Sequence, residues 1–224
     1  MTKTIENLFV FLLYFTDLSI ILLFLIYNNK NKKEKSLLAI SLYCLVDILI
    51  NYTTQLFTSH LVTYIAYTFF TSFEYLIFAW CFWTFIRNTR FRKAIVITSI
   101  LFILFLIVYY STTKPRSIDS VPIGMETILV LVYSFYYLYE QLNSSQTLFI
   151  YNQYHFWIVT GIMIYLSGSF FIYIFANQID RNLLMRFWFL TNAFYVLKNI
   201  FFAVGILINI KHQKTVIPKN TVLI

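Results

Sequence analysis

Residues 8–27 read LFVFLLYFTDLSIILLFLIY. Apart from Asp17 the stretch carries no charge, and it contains neither glycine nor proline. An α-helix rises about 1.5 Å per residue, so a run of this length matches the roughly 30 Å hydrocarbon core of a bilayer. A secretory signal would need a basic start, a shorter apolar core and a small-residue cleavage site. Here Glu6 precedes the run and Tyr27, Asn28 and Asn29 close it, so the segment is expected to remain as a spanning helix.

The pattern repeats along the chain. Counting this first one near 7–27, apolar segments lie near 36–57, 60–86, 94–111, 122–141, 156–176 and 184–210. The 224 residues are 60% hydrophobic and only 12% charged, with a mean hydropathy of +0.73. Soluble domains carry about twice that share of charge. The expected fold class is therefore all-α, a polytopic seven-transmembrane helix bundle. It forms one domain over 1–210, followed by a short basic cytoplasmic tail over 211–224.

A net charge of +8 raises nucleic acid as a partner, but the basic residues fall in short clusters between apolar runs, as membrane topology predicts. No nucleic-acid partner is expected; the partners are the lipid bilayer and a membrane or cytoplasmic protein. Lys30, Lys32, Lys33 and Lys35 follow the first span, Arg87, Arg90, Arg92 and Lys93 follow the third, and Lys211, Lys214 and Lys219 follow the seventh. With seven spans these share one face. Lys3, Lys114, Arg116 and Arg181 lie on the other. The excess of Lys and Arg predicts N-out, C-in, in a bacterial inner (cytoplasmic) membrane. The loop over 142–155 has no Lys or Arg and is the weak link in that assignment. Trp80, Trp83 and Trp157 fall near the inner ends of their spans and Trp188 near an outer end, as interfacial anchors do.

Cys44 and Cys81 sit inside apolar runs and read as small buried hydrophobes. His60, His155 and His212 form no spaced ligand pair, so no metal site is expected. No proline precedes Pro115 and no glycine precedes Gly124, so the first four spans have no helix-breaking residue of the kind that marks many transporter binding sites. Gly161 and Gly168 share a face of the sixth span and predict close helix packing. The extramembrane segments leave no room for a soluble domain, and there is no P-loop, GxGxxG or GxSxG. The chain reads as a non-enzyme.

The informative residues are charges in mid-span: Asp17, Asp47, Glu74 and Lys198. Each ionised group at the bilayer centre costs about 2.5–3.5 kcal/mol on insertion scales, on the order of 10–14 kcal/mol together if unpaired. They must face the interior and pair, or some of the carboxyl groups must hold protons. The helical phase agrees. Tyr43, Asp47, Asn51, Thr54 and Thr58 share one face, as do His60, Tyr64, Tyr67, Thr71 and Glu74. In the seventh span Asn192, Tyr195 and Asn199 form a stripe flanked by Thr191 and Lys198. Glu126, Tyr133, Tyr137 and Glu140 line one side of the fifth. The expected ion pair joins Lys198 to Glu74 or Asp47. Glu140 and Arg186, near span ends, are expected to snorkel. The candidate ligand or ion residues are Asp17, Asp47, Asn51, Glu74, Asn192, Tyr195, Lys198 and Asn199.

Short motifs give the chain a resemblance. They are Phe73-Glu74-Tyr75 before a basic loop; Phe156-Trp157-Ile158 with Gly161; Gly168 with Phe170 and Phe171; and Asn192 with Tyr195. In these the chain resembles a group of small bacterial seven-helix proteins of unassigned function. The resemblance implies the seven-helix layout and a sensory or accessory role, and no activity. Lys198 also stands where microbial rhodopsins carry the lysine that binds retinal, with Glu74 at a counter-ion position. However, Phe194 replaces the usual aspartate four residues before the lysine, and Thr71 replaces the usual basic residue. Sugar transporters of the three-plus-one-plus-three type share the length, but their Pro-Gln motif is absent. The leading expectation is a receptor-like or accessory bundle acting through partners. A proton- or ion-coupled small-solute transporter is the alternative, and a retinal protein the less favoured one. Outside that last reading no cofactor is expected.

Overall fold

The computed structural model describes residues 3–28, 34–57, 59–113, 120–144, 150–176, 178 and 181–216. Seven helices follow one another: α1 (Lys3–Asn28), α2 (Lys35–Leu56), α3 (His60–Phe85), α4 (Thr89–Thr112), α5 (Ser120–Leu142), α6 (Tyr154–Phe175) and α7 (Arg181–Val216). A single 3-10 turn, Ile150–Asn152, precedes α6. No strand occurs among the described residues. All seven helices are long and apolar enough to cross a membrane. The basic residues Lys30, Lys32, Lys33, Lys114, Arg116 and Lys219, together with Thr58, lie outside the described residues. So do the side chains of Lys3, His60, Arg181, Arg186, His212 and Lys214.

Two boundaries move relative to the apolar runs. Helix α4 begins five residues before its run, at Thr89. Asn88 caps it, its side-chain oxygen accepting from the Arg90 amide at 2.9 Å, which satisfies one of the amides orphaned at a helix start. Helix α7 continues past residue 210 to Val216, so the basic tail begins as helix. Pro122 lies in the first turn of α5, where a missing backbone N–H costs little.

Six helices close a ring in the order α1, α2, α3, α5, α6, α7, with α7 packing back on α1. Helix α4 lies outside it, against α3 and α5. Side-chain pairs fix the directions. Phe9 meets Phe189 and Asp17 meets Asn199, so α1 and α7 run parallel. Trp157 meets Phe201 while Tyr173 meets Trp188, so α6 and α7 run antiparallel. The start of α1 and the end of α7 thus lie at opposite ends of the bundle. Lys35, Arg87, Arg90, Arg92, Lys93 and Lys211 all stand at the end where α7 finishes.

The bundle is apolar outside, and its largely apolar interior encloses a set of buried polar side chains. On α1 the exposed stripe is Leu8, Phe11, Phe15, Leu18, Leu22 and Leu25, and the buried one is Asp17, Ile20 and Phe24. An outer surface this continuously apolar belongs against lipid or another protein, not water. Helices α6 and α7 approach closely at glycines. A Cβ on Gly161 would lie 2.9 Å from Phe201 Cβ and 3.0 Å from the Lys198 carbonyl oxygen. One on Gly168 would lie 2.5 Å from the Phe194 ring. This is the packing that the spacing of the two glycines predicts.

Candidate functional site

The ring encloses a polar centre at mid-helix depth. Asp17 on α1, Tyr43 and Asp47 on α2, Glu74 on α3, Tyr165 on α6, and Tyr195, Lys198 and Asn199 on α7 are all buried there. Lys198 is 0% exposed, Asp17 1%, and Asp47 and Glu74 6% each. Long side chains with charged ends almost never reach such burial without partners, so the partners define the site.

Lys198 makes no direct ion pair with a carboxylate among the described residues. Its Nζ instead donates to the Tyr43 hydroxyl at 2.6 Å, and that hydroxyl donates to Glu74 Oε1 at 2.7 Å. The expected Lys198–Glu74 pair is thus bridged by a phenol, because Tyr43 lies between the two on the shared face. Around the ammonium stand the rings of Tyr195, Tyr43, Tyr165 and Phe202, their centroids 3.5, 4.2, 4.5 and 5.6 Å away. Aromatic faces carry negative electrostatic potential and hold a desolvated cation in this way.

The aspartates form a second group. Asp17 Oδ1 accepts from Asn199 Nδ2 at 2.8 Å and from the Tyr195 hydroxyl at 3.2 Å. Asn199 Nδ2 also reaches Thr16 Oγ1 at 3.0 Å. Asp47 Oδ2 accepts from Asn51 Nδ2 at 2.8 Å, and Asp17 and Asp47 act on one another electrostatically across the α1–α2 interface. The hydrogen-bond donors to the two aspartates among the described residues, Asn199, Tyr195 and Asn51, are neutral, and Asp17 Oδ2 and Asn199 Oδ1 are buried without a hydrogen-bond partner.

Of the sequence candidates, Asp17, Asp47, Asn51, Glu74, Tyr195, Lys198 and Asn199 come together. Asn192 is half-buried and makes no hydrogen bond to them. Three residues of the centre were not among the site candidates, although Tyr43 and Glu126 stand on the polar stripes of their helices. Tyr43 is the bridge. Tyr165 forms one wall of the cage. Glu126 is 2% exposed with Oε1 unpartnered, and the charged neighbour acting on it is Glu74. Glu126 lies early in α5, roughly a turn and a half nearer the N-terminal end than the centre. Glu140, near the end of α5, reaches the connection between α3 and α4. Its two oxygens accept the backbone amides of Arg87 and Asn88, each at 2.8 Å. No cluster of three or more metal-ligating side chains occurs among the described residues.

The two halves of the ring interior differ in chemistry. Toward the end where α7 finishes, the interior is packed by Ile20, Ile40, Phe78, Phe82, Phe202 and Ile206, all at or below 1% exposure, with the buried polar residues Ser36, Gln141 and Asn209 nearer the rim. Toward the end where α1 starts, it holds Asn51, Glu126, Ser169 and Thr191, and α1 and α2 carry a surface hydrogen bond from Gln55 to Tyr14 at 2.9 Å. Compared with family models, curated proteins and solved structures, the chain matches none.

Proposed function

We propose that this is a multi-pass protein of the bacterial cytoplasmic membrane, N-terminus outside and C-terminus inside, serving as a receptor-like or accessory bundle. Its polar centre takes a small cationic or hydrogen-bonding ligand from outside. The response passes to a membrane or cytoplasmic partner at the basic inner end. One observation carries this reading: toward the end where α1 starts the interior holds the buried polar side chains Glu126, Ser169 and Thr191, whereas on the other side of the centre the large side chains Phe78, Phe82, Phe202 and Ile206 pack it. Polar lining on one side of the centre suits ligand access from that side, whereas transport needs access from both. Among the described residues no group of His, Cys, Asp or Glu side chains that could hold a metal accompanies the cluster, and the reading is non-enzymatic.

Sided thiol labelling tests it. In a Cys44→Ala, Cys81→Ala background, Asn51→Cys should react with a membrane-impermeant maleimide added outside, and Ile206→Cys should react from neither side. Labelling of both from opposite sides would overturn one-sided access. For the partner, crosslinking in native membranes should recover a protein joined to cysteines placed at Arg90 or Lys211.

The phenol bridge favours a second reading, a proton-coupled small-solute transporter, since Glu74, Tyr43 and Lys198 form an unbroken chain of proton-exchanging groups. Uptake into proteoliposomes that disappears in Glu74→Gln and Lys198→Met would establish it. Retinal binding is the less favoured reading, because a Schiff base at Lys198 would displace the four rings around Nζ. An absorbance band between about 400 and 600 nm on adding retinal, lost in Lys198→Ala, would restore it.

A further inference from the structure

Helix α4, which takes no part in the ring, leaves a groove against α3. The two helices meet along a seam where the Tyr75 hydroxyl lies 3.1 Å from Ser99 Oγ and the Tyr75 and Phe102 ring centroids are 4.2 Å apart. Beside that seam is a groove of about 590 Å³, within the size range of ligand pockets. Its walls include Ala79, Trp80 and Trp83 from α3 and Val96, Ile100 and Leu104 from α4. Ser99 also lines it, but its hydroxyl is turned to the Ile95 carbonyl oxygen at 2.7 Å and to Tyr75. The groove therefore offers an almost wholly apolar surface.

One mouth of the groove is cationic. The Arg92 guanidinium lies 3.9 Å over the ring of Trp83, which is itself a wall residue. Its Nε is buried with no acceptor among the described residues, and exposed Lys93 follows it. No Asp or Glu occurs between Glu74 and Asp119, so neither α4 nor the last turns of α3 carry an anion to answer that charge. Glu140, the acid that α5 brings to this end, has both oxygens on the Arg87 and Asn88 amides. Arg92, Val96, Ile100 and Ile103 recur at helical spacing and share one face of α4. Arg90 falls roughly 200° away, on the opposite face. From Arg92 to Leu104 the helix rises about 18 Å, close to the about 15 Å of hydrocarbon in one leaflet.

We propose that the α3–α4 groove binds one anionic glycerophospholipid from the leaflet at the basic end, its phosphate on Arg92 and an acyl chain along Trp80, Val96, Ile100 and Leu104. A cation at one mouth and a leaflet's depth of apolar wall match the two parts of such a molecule and no water-soluble anion. The residue at the mouth is suited to the task. A guanidinium takes phosphate oxygens side-on through paired N–H groups, and the Trp83 face holds it in place before the lipid arrives. Basic residues at a membrane surface attract anionic lipid in general, but that diffuse attraction acts through Arg90 as much as through Arg92. The bound lipid fastens α4 to the ring beside the Tyr75 seam. The site rests on the membrane placement proposed above and on nothing in the polar centre.

The experiment reconstitutes the full chain in dioleoylphosphatidylcholine bilayers and follows tryptophan emission as acyl-brominated phosphatidylglycerol or acyl-brominated phosphatidylcholine is mixed in. Bromine quenches an indole that it touches, and Trp80 and Trp83 wall the groove. In the wild type, phosphatidylglycerol should bind about tenfold more tightly than phosphatidylcholine, the equivalent of one charge-assisted hydrogen bond, and quench at a correspondingly lower mole fraction. Arg92→Gln should abolish that preference and Arg90→Gln should keep it. Val96→Phe, which fills the groove from an exposed position and leaves every charge in place, should reduce the quenching by phosphatidylglycerol. Should Arg92→Gln fail to fold, the contrast between Val96→Phe and Arg90→Gln still decides. Equal quenching by the two lipids in the wild type, equal losses in Arg90→Gln and Arg92→Gln, or undiminished quenching in Val96→Phe would each overturn the site. So would reversal of the quenching by inorganic phosphate at constant ionic strength, which would mark the site as one for a free anion. Quenching by neither lipid would remove the membrane placement along with the site, so the two failures are distinguishable.

Discussion

The Tyr43 hydroxyl donates to Glu74 at 2.7 Å while accepting the ammonium of Lys198 at 2.6 Å. One phenol thus couples a buried cation to a buried anion on different helices. Removing it leaves both charges in place and takes away the group that satisfies each. Tyr43→Phe, which keeps the ring, is expected to cost about 2–4 kcal/mol, because an unsatisfied buried charged group forfeits its full desolvation. Glu74→Gln should cost a similar amount. The double variant should lose less than the sum, with a coupling of about 1–2 kcal/mol. Denaturant titration of helicity in mixed micelles measures all three. Strictly additive losses would show that Tyr43 does not connect the two residues.

The α6–α7 seam gives a graded prediction. A Cβ at Gly161 meets the Lys198 carbonyl and Phe201 Cβ, backbone and side-chain root that cannot swing aside. One at Gly124 meets only the tip of Ile174 at 3.4 Å, an ordinary contact. Gly161→Ala should therefore destabilise by about 1–3 kcal/mol, as overpacking does, and Gly124→Ala should be close to neutral. Because Gly161 abuts the backbone of Lys198, its alanine variant should also weaken whatever the centre binds. Thermal unfolding of the two variants side by side checks the order, and a reversed order would refute it.

Much of the centre was legible in the sequence because charge in an apolar helix leaves few options. Asp17, Asp47, Glu74 and Lys198 stand out against runs of Leu, Ile and Phe, and helical phase alone turns them inward. Residues whose type is common throughout the chain were not legible. Tyr165 is one of 18 tyrosines, and nothing marks it except its place at the midpoint of α6. Counting depth along every span would have found it, and would have set Glu126 closer to the centre than to solvent. The Lys198–Glu74 bridge was hidden for another reason. Periodicity gives the face on which Tyr43, Asp47 and Glu74 sit, but not which of them the lysine reaches first.

Glu140 shows the same limit at a helix end. Its carboxylate ties the last turn of α5 to the two residues that lead into α4, and Asn88 is held again by the Tyr136 hydroxyl at 2.7 Å. Phe91 stacks on Tyr136 with ring centroids 3.6 Å apart, which fixes where α4 begins. Glu140→Ala frees two backbone amides and should cost about 1–3 kcal/mol. Glu140→Gln, which keeps one acceptor oxygen, should fall between. The local readout is limited proteolysis of the 86–89 connection in inside-out vesicles, faster in the alanine variant. Unchanged cleavage there would mean that the loop is held by other contacts.

The basic end of the bundle makes the orientation testable at its weakest point. Arg87, Arg90, Arg92, Lys93, Lys35 and Lys211 share that end, and Arg92 lies 3.9 Å over the ring of Trp83, a cation–aromatic contact at the depth where headgroups are expected. Residue Ser144 follows α5 at the same end, in the one loop there without a Lys or Arg of its own, and Thr113 follows α4 at the opposite end. If orientation is set by the whole bundle, Ser144 must be inside despite its uncharged loop. Single cysteines at the two positions, in the background lacking Cys44 and Cys81, should separate cleanly in intact cells. Thr113→Cys should react with an impermeant maleimide, and Ser144→Cys should react only after the membrane is opened. Replacing Arg87, Arg90 and Lys93 together by glutamine removes part of the charge bias and should make a fraction of Ser144→Cys reactive from outside. Labelling of Ser144→Cys in cells that carry the full set of basic residues would invert the orientation, and with it the side from which a ligand reaches Asp17 and Lys198.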